Sequence, residues 1–595
     1  MSATPAKRTT ARRRRERAGA NGGSPGAAGG TAPRARTDDR ESSGAGAPLD
    51  MLLSEAAATP TRRWLPGLAG VRAGVNLALR PRKVARRGLG LAADVAKVAA
   101  GRSKAEPAKS DRRFKDPAWT GNPVFRRLCQ TYLVAGEALD GLLSDAELDW
   151  GDERRVRFAT DNVISALAPS NFPATNPAVL KAVLDTGGRN LLSGGKQFVR
   201  DMARPPRIPS MVDRSSFEVG TNIAATPGAV VLRTPVFELI QYEPATPKVH
   251  ETPLLIVPPM INKYYVTDIA PGRSMIEHLV AAGQQVLTIS WRNPDERHAG
   301  WGLDTYATAV LDALDATERI TQSDRSHVLG LCAGGIVASA VLAHLAARGD
   351  RERIAGLTLG VCVLDNERAG TTAAFMDRRM AALAVADSAR RGYLDGRALA
   401  GVFAWLRPTD LIWNYWVNNY LLGKDPPAFD VLFWNADTTN MPAALHRDFI
   451  GLSLENSMVR AGELTVLGTP VDLSAITVDS YLVAGIADHI TPWQSCYRTT
   501  QLLGSEPRFV LSTSGHIAAM VNPPGNEKAS YRISTANPAD PGRWLEAATA
   551  TPGTWWNDWT PWLAKRSGAE KGAPRKLGRG QLKALGRAPG TYVHQ

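Results

Sequence analysis

The stretch Ser326-His-Val-Leu-Gly-Leu-Cys332-Ala-Gly-Gly-Ile-Val-Ala-Ser-Ala-Val-Leu-Ala-His344 constrains this chain more than any other. An apolar, strand-like run leads through a glycine-flanked cysteine into an alanine-rich segment of helical character, so the pattern is strand, sharp turn, helix. Gly330, Gly334 and Gly335 suit a tight turn and a helix that must pack close to the strand before it. Position 332 then stands at the top of a sheet, where its thiol is presented for chemistry; the competing reading is a small apolar cysteine packed in a core.

Gly330-x-Cys332-x-Gly334 is the nucleophile elbow of the α/β-hydrolases with cysteine in place of serine. The chain around it alternates as that fold requires. Gly228–Arg233 and Phe237–Tyr242 pattern as paired antiparallel strands, and further strands follow at 254–257, 285–291, 327–331, 357–365, 480–485 and 508–512, with helical stretches between. Such alternation predicts a mostly parallel sheet covered on both faces. Between the fourth and fifth of these later strands lies an insertion at about 366–475, rich in aromatics that include Trp405, Trp413, Tyr415, Trp416, Tyr420, Phe429, Phe433 and Trp434. Its position at the C-terminal edge of the sheet predicts a cap over a site, although most of these rings suit the core of an inserted subdomain.

Triad order in this fold is nucleophile, acid, histidine. Asp488 follows the strand ending at Gly485, and His516 follows the strand ending at Ser512, so Cys332, Asp488 and His516 form the candidate set. A thiol is mostly protonated at neutral pH and needs an imidazole to make thiolate; a carboxylate on the far nitrogen fixes the tautomer. Asp365 is the alternative acid, while His327, His344 and His489 are rival histidines better suited to structural roles. The oxyanion donors expected are the backbone N–H of Ala333 and that of Met260 or Ile261.

The net charge of +14 is unevenly placed. Residues 1–116 carry 25 Lys and Arg against 10 Asp and Glu, and the remainder carries 46 against 47. The sequence therefore divides into a basic, largely disordered arm at 1–110, a helical N-terminal domain at 111–215 and a catalytic domain at 216–595. Within the arm, Ala11–Arg17 is an arginine cluster, and Gly19–Pro48 is too poor in large apolar residues to offset its chain entropy. The arm is either a solubilising tail or a contact for an anionic surface; residues 51–102 have the spacing of a surface-lying helix. Four scattered cysteines fit a reducing compartment, no secretory signal or membrane-spanning run stands out, and no ligand cluster or dinucleotide fingerprint indicates a metal or redox cofactor.

Longer motifs carry a resemblance. Gly330-Leu-Cys-Ala-Gly-Gly is similar to the lipase-like box of polyhydroxyalkanoate synthases, the polyester polymerases of bacterial storage granules. Asp116-Pro-Ala-Trp, Pro169-Ser-Asn-Phe-Pro-Ala-Thr-Asn-Pro, Pro258-Pro-Met-Ile-Asn-Lys-Tyr-Tyr and Ser290-Trp-Arg-Asn-Pro-Asp resemble signatures of the same family. So do Asp410-Leu-Ile-Trp-Asn-Tyr-Trp-Val-Asn-Asn-Tyr, Ala487-Asp-His-Ile-Thr-Pro-Trp, Ser514-Gly-His-Ile and Pro552-Gly-Thr-Trp-Trp-Asn-Asp-Trp, over about residues 114–595. The arm is longer than usual for the family, and Met260 stands where many relatives have cysteine.

The resemblance implies transfer of an (R)-3-hydroxyacyl group from coenzyme A to Cys332 and attack on that thioester by a hydroxyl, lengthening a polyester. His516 would deprotonate the thiol, and Asp488 would orient His516 or help activate the 3-hydroxyl. It implies coenzyme A thioester as substrate with no separate cofactor, a homodimer, no specific nucleic acid, and a cytoplasmic enzyme on the granule surface. A cysteine-dependent thioesterase, or a granule-surface binding protein without catalysis, are the competing functions. Trp555, Trp556, Trp559 and Trp562 lie at helical spacing and are expected in the core.

Overall fold

The computed structural model describes residues 67–366, 373–488 and 490–595. Its centre is an eleven-stranded sheet. The strands are β1 (Gly228–Arg233), β2 (Phe237–Tyr242), β3 (Leu254–Val257), β4 (Val286–Trp291), β5 (Ser326–Leu331), β6 (Ile354–Gly360), β7 (Ser480–Gly485), β8 (Arg508–Ser512), β9 (Ser530–Ile533), β10 (Thr549–Pro552) and β11 (Gly586–Arg587). Their order is β10-β9-β8-β7-β6-β5-β3-β4-β2-β1-β11. Strands β4, β3, β5, β6, β7 and β8 run parallel, and the outer pairings are antiparallel.

The parallel strands are buried on both faces, as their continuous apolar runs require; β3, β4, β5, β6 and β7 have no exposed residue. The edge strands β9, β10 and β11 escape a periodicity reading. Ser-Tyr-Arg-Ile and Thr-Ala-Thr-Pro lack an apolar run, and they join the sheet through backbone pairing with every side chain but that of Tyr531 half-buried or exposed. The strand expected to reach residue 365 stops at Gly360, because Val361 turns away with φ of 45°.

Ahead of the sheet lie helices α1 (Gly67–Ala78), α2 (Pro81–Ala99), α3 (Pro123–Asp145), α4 (Trp150–Ala166), α5 (Pro177–Thr186) and α6 (Arg189–Met202). Local chemistry starts several of them: Asn122 and Asn176 cap α3 and α5 with their side-chain oxygens, and each is followed by proline at the first helical position. The arginine cluster at 11–17 and the stretch 19–48 lie outside the described residues. Residues 67–99, inside the stretch whose spacing suits a surface-lying helix, form α1 and α2 and pack with the helical layer. Electrostatics explains it. Arg72 pairs with Asp152 at 2.7 Å, Arg80 and Lys83 both with Glu147 at 2.8 and 2.5 Å, and Arg87 with Asp145 at 2.8 Å. Arg80 and Asn76 also donate to the carbonyl of Ala146. Part of the arm's basic charge thus answers the acidic end of α3 and the start of α4.

The insertion contains helices Ala373–Arg391, Gly396–Leu406, Asp430–Ala436 and Ala443–Glu455, with wide helical turns at Thr409–Trp413 and Trp416–Leu421. Much of its aromatic surface faces the N-terminal helices. Trp416 and Tyr420 meet the Phe198 ring of α6 edge-on at 5.9 and 5.4 Å, the Trp416 Nε1 donates to the Asn171 carbonyl, and Tyr420 donates its hydroxyl to Asp201 at 2.7 Å. The contact is closest at Gly194, where a Cβ would lie 1.8 Å from the Tyr420 carbonyl oxygen. Phe433 and Trp434 point instead toward the loop after β3. No described helix is long and apolar enough to cross a membrane.

Gly194→Ala is expected to destabilise the protein by about 1–3 kcal/mol, since backbone must move to admit the methyl group. Gly195→Ala, whose Cβ meets nothing within 4 Å, is expected to be neutral or to stabilise by about 0.5–1 kcal/mol. Thermal unfolding of the two variants side by side checks the difference.

Candidate active site

The elbow forms where β5 ends and helix α7 (Ala333–Arg348) begins. Cys332 occupies φ 48°, ψ −121°, a conformation costly for a residue with a Cβ, and it is held there by its surroundings. Its N–H donates to the Gly360 carbonyl at the end of β6 at 2.9 Å, and its carbonyl accepts from Gly335 N–H at 2.9 Å. Helix α7 starts tight against β3: a Cβ on Gly334 would lie 2.3 Å from the Val257 carbonyl oxygen and 2.6 Å from that of Pro258. Only glycine permits that approach. The half-buried Cys332 side chain is left facing out of the turn.

His516 opens the short helix His516–Val521 after β8, and Asp488 lies in the turn after β7. The structure brings them together, with His516 Nδ1 2.7 Å from Asp488 Oδ2. Both are buried. With Nδ1 committed to the carboxylate, Nε2 is the nitrogen left for Cys332, whose side chain acts on the ring. Burial works against charge on His516, but the Asp488 carboxylate and the Cys332 sulfur outweigh it and raise its pKa to about 10. Burial likewise opposes ionisation of Asp488, and the His516 charge with its hydrogen bonds overcomes this, holding the carboxyl below its ordinary value.

Thr491 is the participant that sequence reasoning missed. Its hydroxyl donates to Asp488 Oδ2 at 2.6 Å and lies 3.2 Å from His516 Nδ1, while the N–H groups of Ile490 and Thr491 donate to Oδ1 at 2.8 and 2.9 Å. Both oxygens of Asp488 therefore carry two partners each. The signal available was a hydroxyl residue three positions after the acid in a tight turn. The tryptophans contribute from behind: Trp555 and Trp556 donate their indole N–H to the carbonyls of Ala519 and Met520, bracing the helix that carries His516. They, and Trp559, are fully buried core residues.

The other named residues sort by position. Asp365 accepts from Asn456 at 2.9 Å and pairs with Arg498 at 3.2 Å, in a network apart from the His516 ring. His327 bonds Ser567 within the core, where burial lowers its pKa to about 4. His344 meets Thr469 from α7, and His489 lies outside the described residues. Cys362 and Cys496 are buried, and burial pushes their thiols well above the ordinary value, so Cys332 is the accessible one of the three. Ala333 is the first residue of α7, where an N–H has no intrahelical partner. Gly334 packs on the carbonyls of Val257 and Pro258, just ahead of the loop that holds Met260 and Ile261. The insertion steadies the same loop: Trp434 donates to the Lys263 carbonyl at 2.7 Å, Tyr265 donates to Asp437 at 2.6 Å, and Asn262 bridges Thr438. Among the described residues no cluster of three or more His, Cys, Asp or Glu is placed to hold a metal.

Comparison with known proteins adds lineage to this geometry. Residues 110–279 match the family described as the N-terminus of poly-beta-hydroxybutyrate polymerase, and residues 253–523 match the alpha/beta hydrolase fold. The chain is 46% identical over 498 residues to poly(3-hydroxyalkanoate) polymerase 1 of Ectopseudomonas oleovorans, covering 84% of this chain and 89% of that protein. It is 43% identical over 513 residues to polymerase 2 of the same organism, covering 86% and 91%. With the poly(3-hydroxyalkanoate) polymerase subunit PhaC of Cupriavidus necator it shares 42% over 503 residues, covering 83% and 85%.

Three variants probe this arrangement. In Asp488→Asn the carboxylate that sustains the imidazolium is gone, so the His516 midpoint, read by NMR of the ring protons, should fall from about 10 toward the ordinary histidine value of about 6.5. The imidazolium present through neutral pH in the parent is then lost above about pH 7, and iodoacetamide alkylation of Cys332 at about pH 8 slows. Thr491→Val should slow the same alkylation about tenfold by removing one charge-assisted hydrogen bond, and Thr491→Ser should restore it.

Proposed function

The chain belongs to the poly(3-hydroxyalkanoate) polymerase family and is an acyltransferase of the α/β-hydrolase fold, and from that premise we propose that it polymerises (R)-3-hydroxyacyl-coenzyme A through acyl-Cys332 intermediates. The observation that carries the reading is the buried His516–Asp488 pair at 2.7 Å, with the Cys332 side chain near enough to help raise the His516 pKa. In the first half-reaction the Cys332 thiolate attacks the thioester carbonyl. The tetrahedral oxyanion is met by the N–H of Ala333 and of Met260 or Ile261. Coenzyme A leaves as the sulfur–carbon bond of the substrate breaks, taking a proton from His516. In the second, the terminal hydroxyl of the growing chain gives its proton to His516 and attacks acyl-Cys332, forming an ester and returning the thiolate.

Cysteine suits this cycle because one thioester is exchanged for another at little thermodynamic cost, and the acyl group stays activated for ester formation. The four contacts on Asp488 favour its acting through His516: to take a proton from a 3-hydroxyl it would have to release a backbone N–H, Thr491 or His516 itself. Exclusion of water separates this enzyme from a thioesterase with the same relay. In this proposal the coenzyme A thioester is the substrate, no further cofactor enters, and the enzyme works as a homodimer at the surface of its insoluble product.

Purified enzyme given (R)-3-hydroxybutyryl-coenzyme A should release free thiol and form insoluble polyester together, and Cys332→Ala should do neither. Thiol release with free hydroxy acid and no polymer would replace the polymerase reading with a thioesterase. Polymer formed by Cys332→Ala at the parent rate would remove the covalent intermediate.

A further inference from the structure

The α5–α6 hairpin carries a surface that the chemistry at Cys332 does not use. Helix α5 ends in the left-handed Gly187–Gly188 turn, and α6 runs back from it with one face on the insertion: Asn190 and Gly194 are buried there, and Asn190 donates to the Leu421 carbonyl. The opposite face is apolar and open. Leu192 is 71% exposed, Val199 67%, and Leu184 at the tip of α5 83%. At 100° per residue, Leu192 and Val199 lie half a turn from Asn190 and Gly194, while Arg189, Lys196 and Arg200 line up along one flank of that stripe. Arg204 and Arg207 follow on the exposed chain beyond the helix.

Cations of the helical layer divide into paired ones and ones that, like Arg82, Arg86, Arg126 and Arg127, have no carboxylate partner among the described residues. Arg80, Lys83 and Arg87 each pair with a carboxylate. Among the described residues no carboxylate pairs with Arg189, Lys196, Arg200, Arg204 or Arg207. Asp201, the acidic residue within residues 189–207, turns away from the stripe to accept from Tyr420 and Ser210. Exposed leucines and valine bordered by cations without counter-charges form a helix face complementary to a layer with an apolar interior and anionic headgroups.

We propose that the α5–α6 hairpin is a docking face for an anionic lipid surface, with Leu184, Leu192 and Val199 entering the acyl region and Arg189, Lys196 and Arg200 meeting the headgroups. Because the buried side of α6 is seated on Trp416–Leu421 through Gly194, docking sets the insertion close to that surface. The proposal is independent of the reaction assigned to Cys332.

The test is co-sedimentation of the full chain with vesicles of equimolar phosphatidylglycerol and phosphatidylcholine, against vesicles of phosphatidylcholine alone. The wild type is expected to sediment with the anionic vesicles and to be released by salt. Leu184→Ser/Leu192→Ser/Val199→Ser and Arg189→Gln/Lys196→Gln/Arg200→Gln should each reduce partitioning at least about tenfold, with unchanged unfolding temperature and unchanged turnover of soluble substrate in the absence of vesicles. The N-terminal arm is present in every protein compared, so its contribution cancels. Wild-type partitioning by both variants, or no sedimentation of the wild type, overturns the proposal. So does a serine variant that loses self-association with vesicle binding intact, which would make the face a contact between copies. A glutamine variant that loses duplex DNA binding and keeps vesicle binding also overturns it.

Discussion

Everything at the site depends on how closely the start of α7 approaches the backbone at the end of β3. Gly334 lets the helix come within a distance that any side chain would forbid, and that approach forces the reversal at residue 332. The cost is a cysteine in a strained conformation, fixed by the Gly360 carbonyl on one side and the Gly335 N–H on the other. In return, one short turn delivers a half-buried sulfur at the end of β5 and the unpartnered first N–H of a helix. Loosening the approach would displace Cys332 from the end of β3 before it unfolded anything.

The carboxylate of Asp488 divides labour by saturation. Two backbone N–H groups occupy one oxygen, and Thr491 with His516 occupies the other, in a buried setting where an unpaired charge would be costly. The ring of His516 is held from the opposite side by the helix it begins, which Trp555 and Trp556 tie to the C-terminal core. The ring nitrogen left open is thereby Nε2, on the edge away from Asp488. The imidazolium favoured by Asp488 is the natural counter-ion for a thiolate, which explains why a cysteine can serve where the fold ordinarily presents serine.

The insertion acts in two directions. Toward the sheet, Trp434, Asp437 and Thr438 fix the loop carrying the expected oxyanion donors. Toward the N-terminal helices, Trp416 and Tyr420 pack on α6, with Gly194 removing the space between them. A displacement of the helical layer would therefore be felt at the Met260–Lys263 loop through the insertion. The exposed side of the same helix faces solvent with its apolar stripe, so a surface bound there lies one helix diameter from the insertion.

The sequence by itself determined the elements whose information is local. Glycines around Cys332, apolar runs in β3 to β8 and a histidine and an aspartate after successive strands are short-range patterns, and each of those side chains stands where its strand end put it. Asparagine caps and prolines marked the starts of α3 and α5 for the same reason. Tertiary structure decided what depends on partners distant in the chain. Basic residues between 72 and 87 look like a solvated arm until Asp145, Glu147 and Asp152 arrive from the α3–α4 junction to pair with them. Asp365 and Asp488 are alike as residues after strands; Arg498 and Asn456 claim the first, Thr491 and His516 the second. Short edge strands such as β9 are held by backbone hydrogen bonds, which carry no side-chain signature, and aromatics in the insertion face α6 because glycine there leaves them room. Pairing energy of this kind exists only once the chain has brought the partners together, and a linear pattern does not encode it.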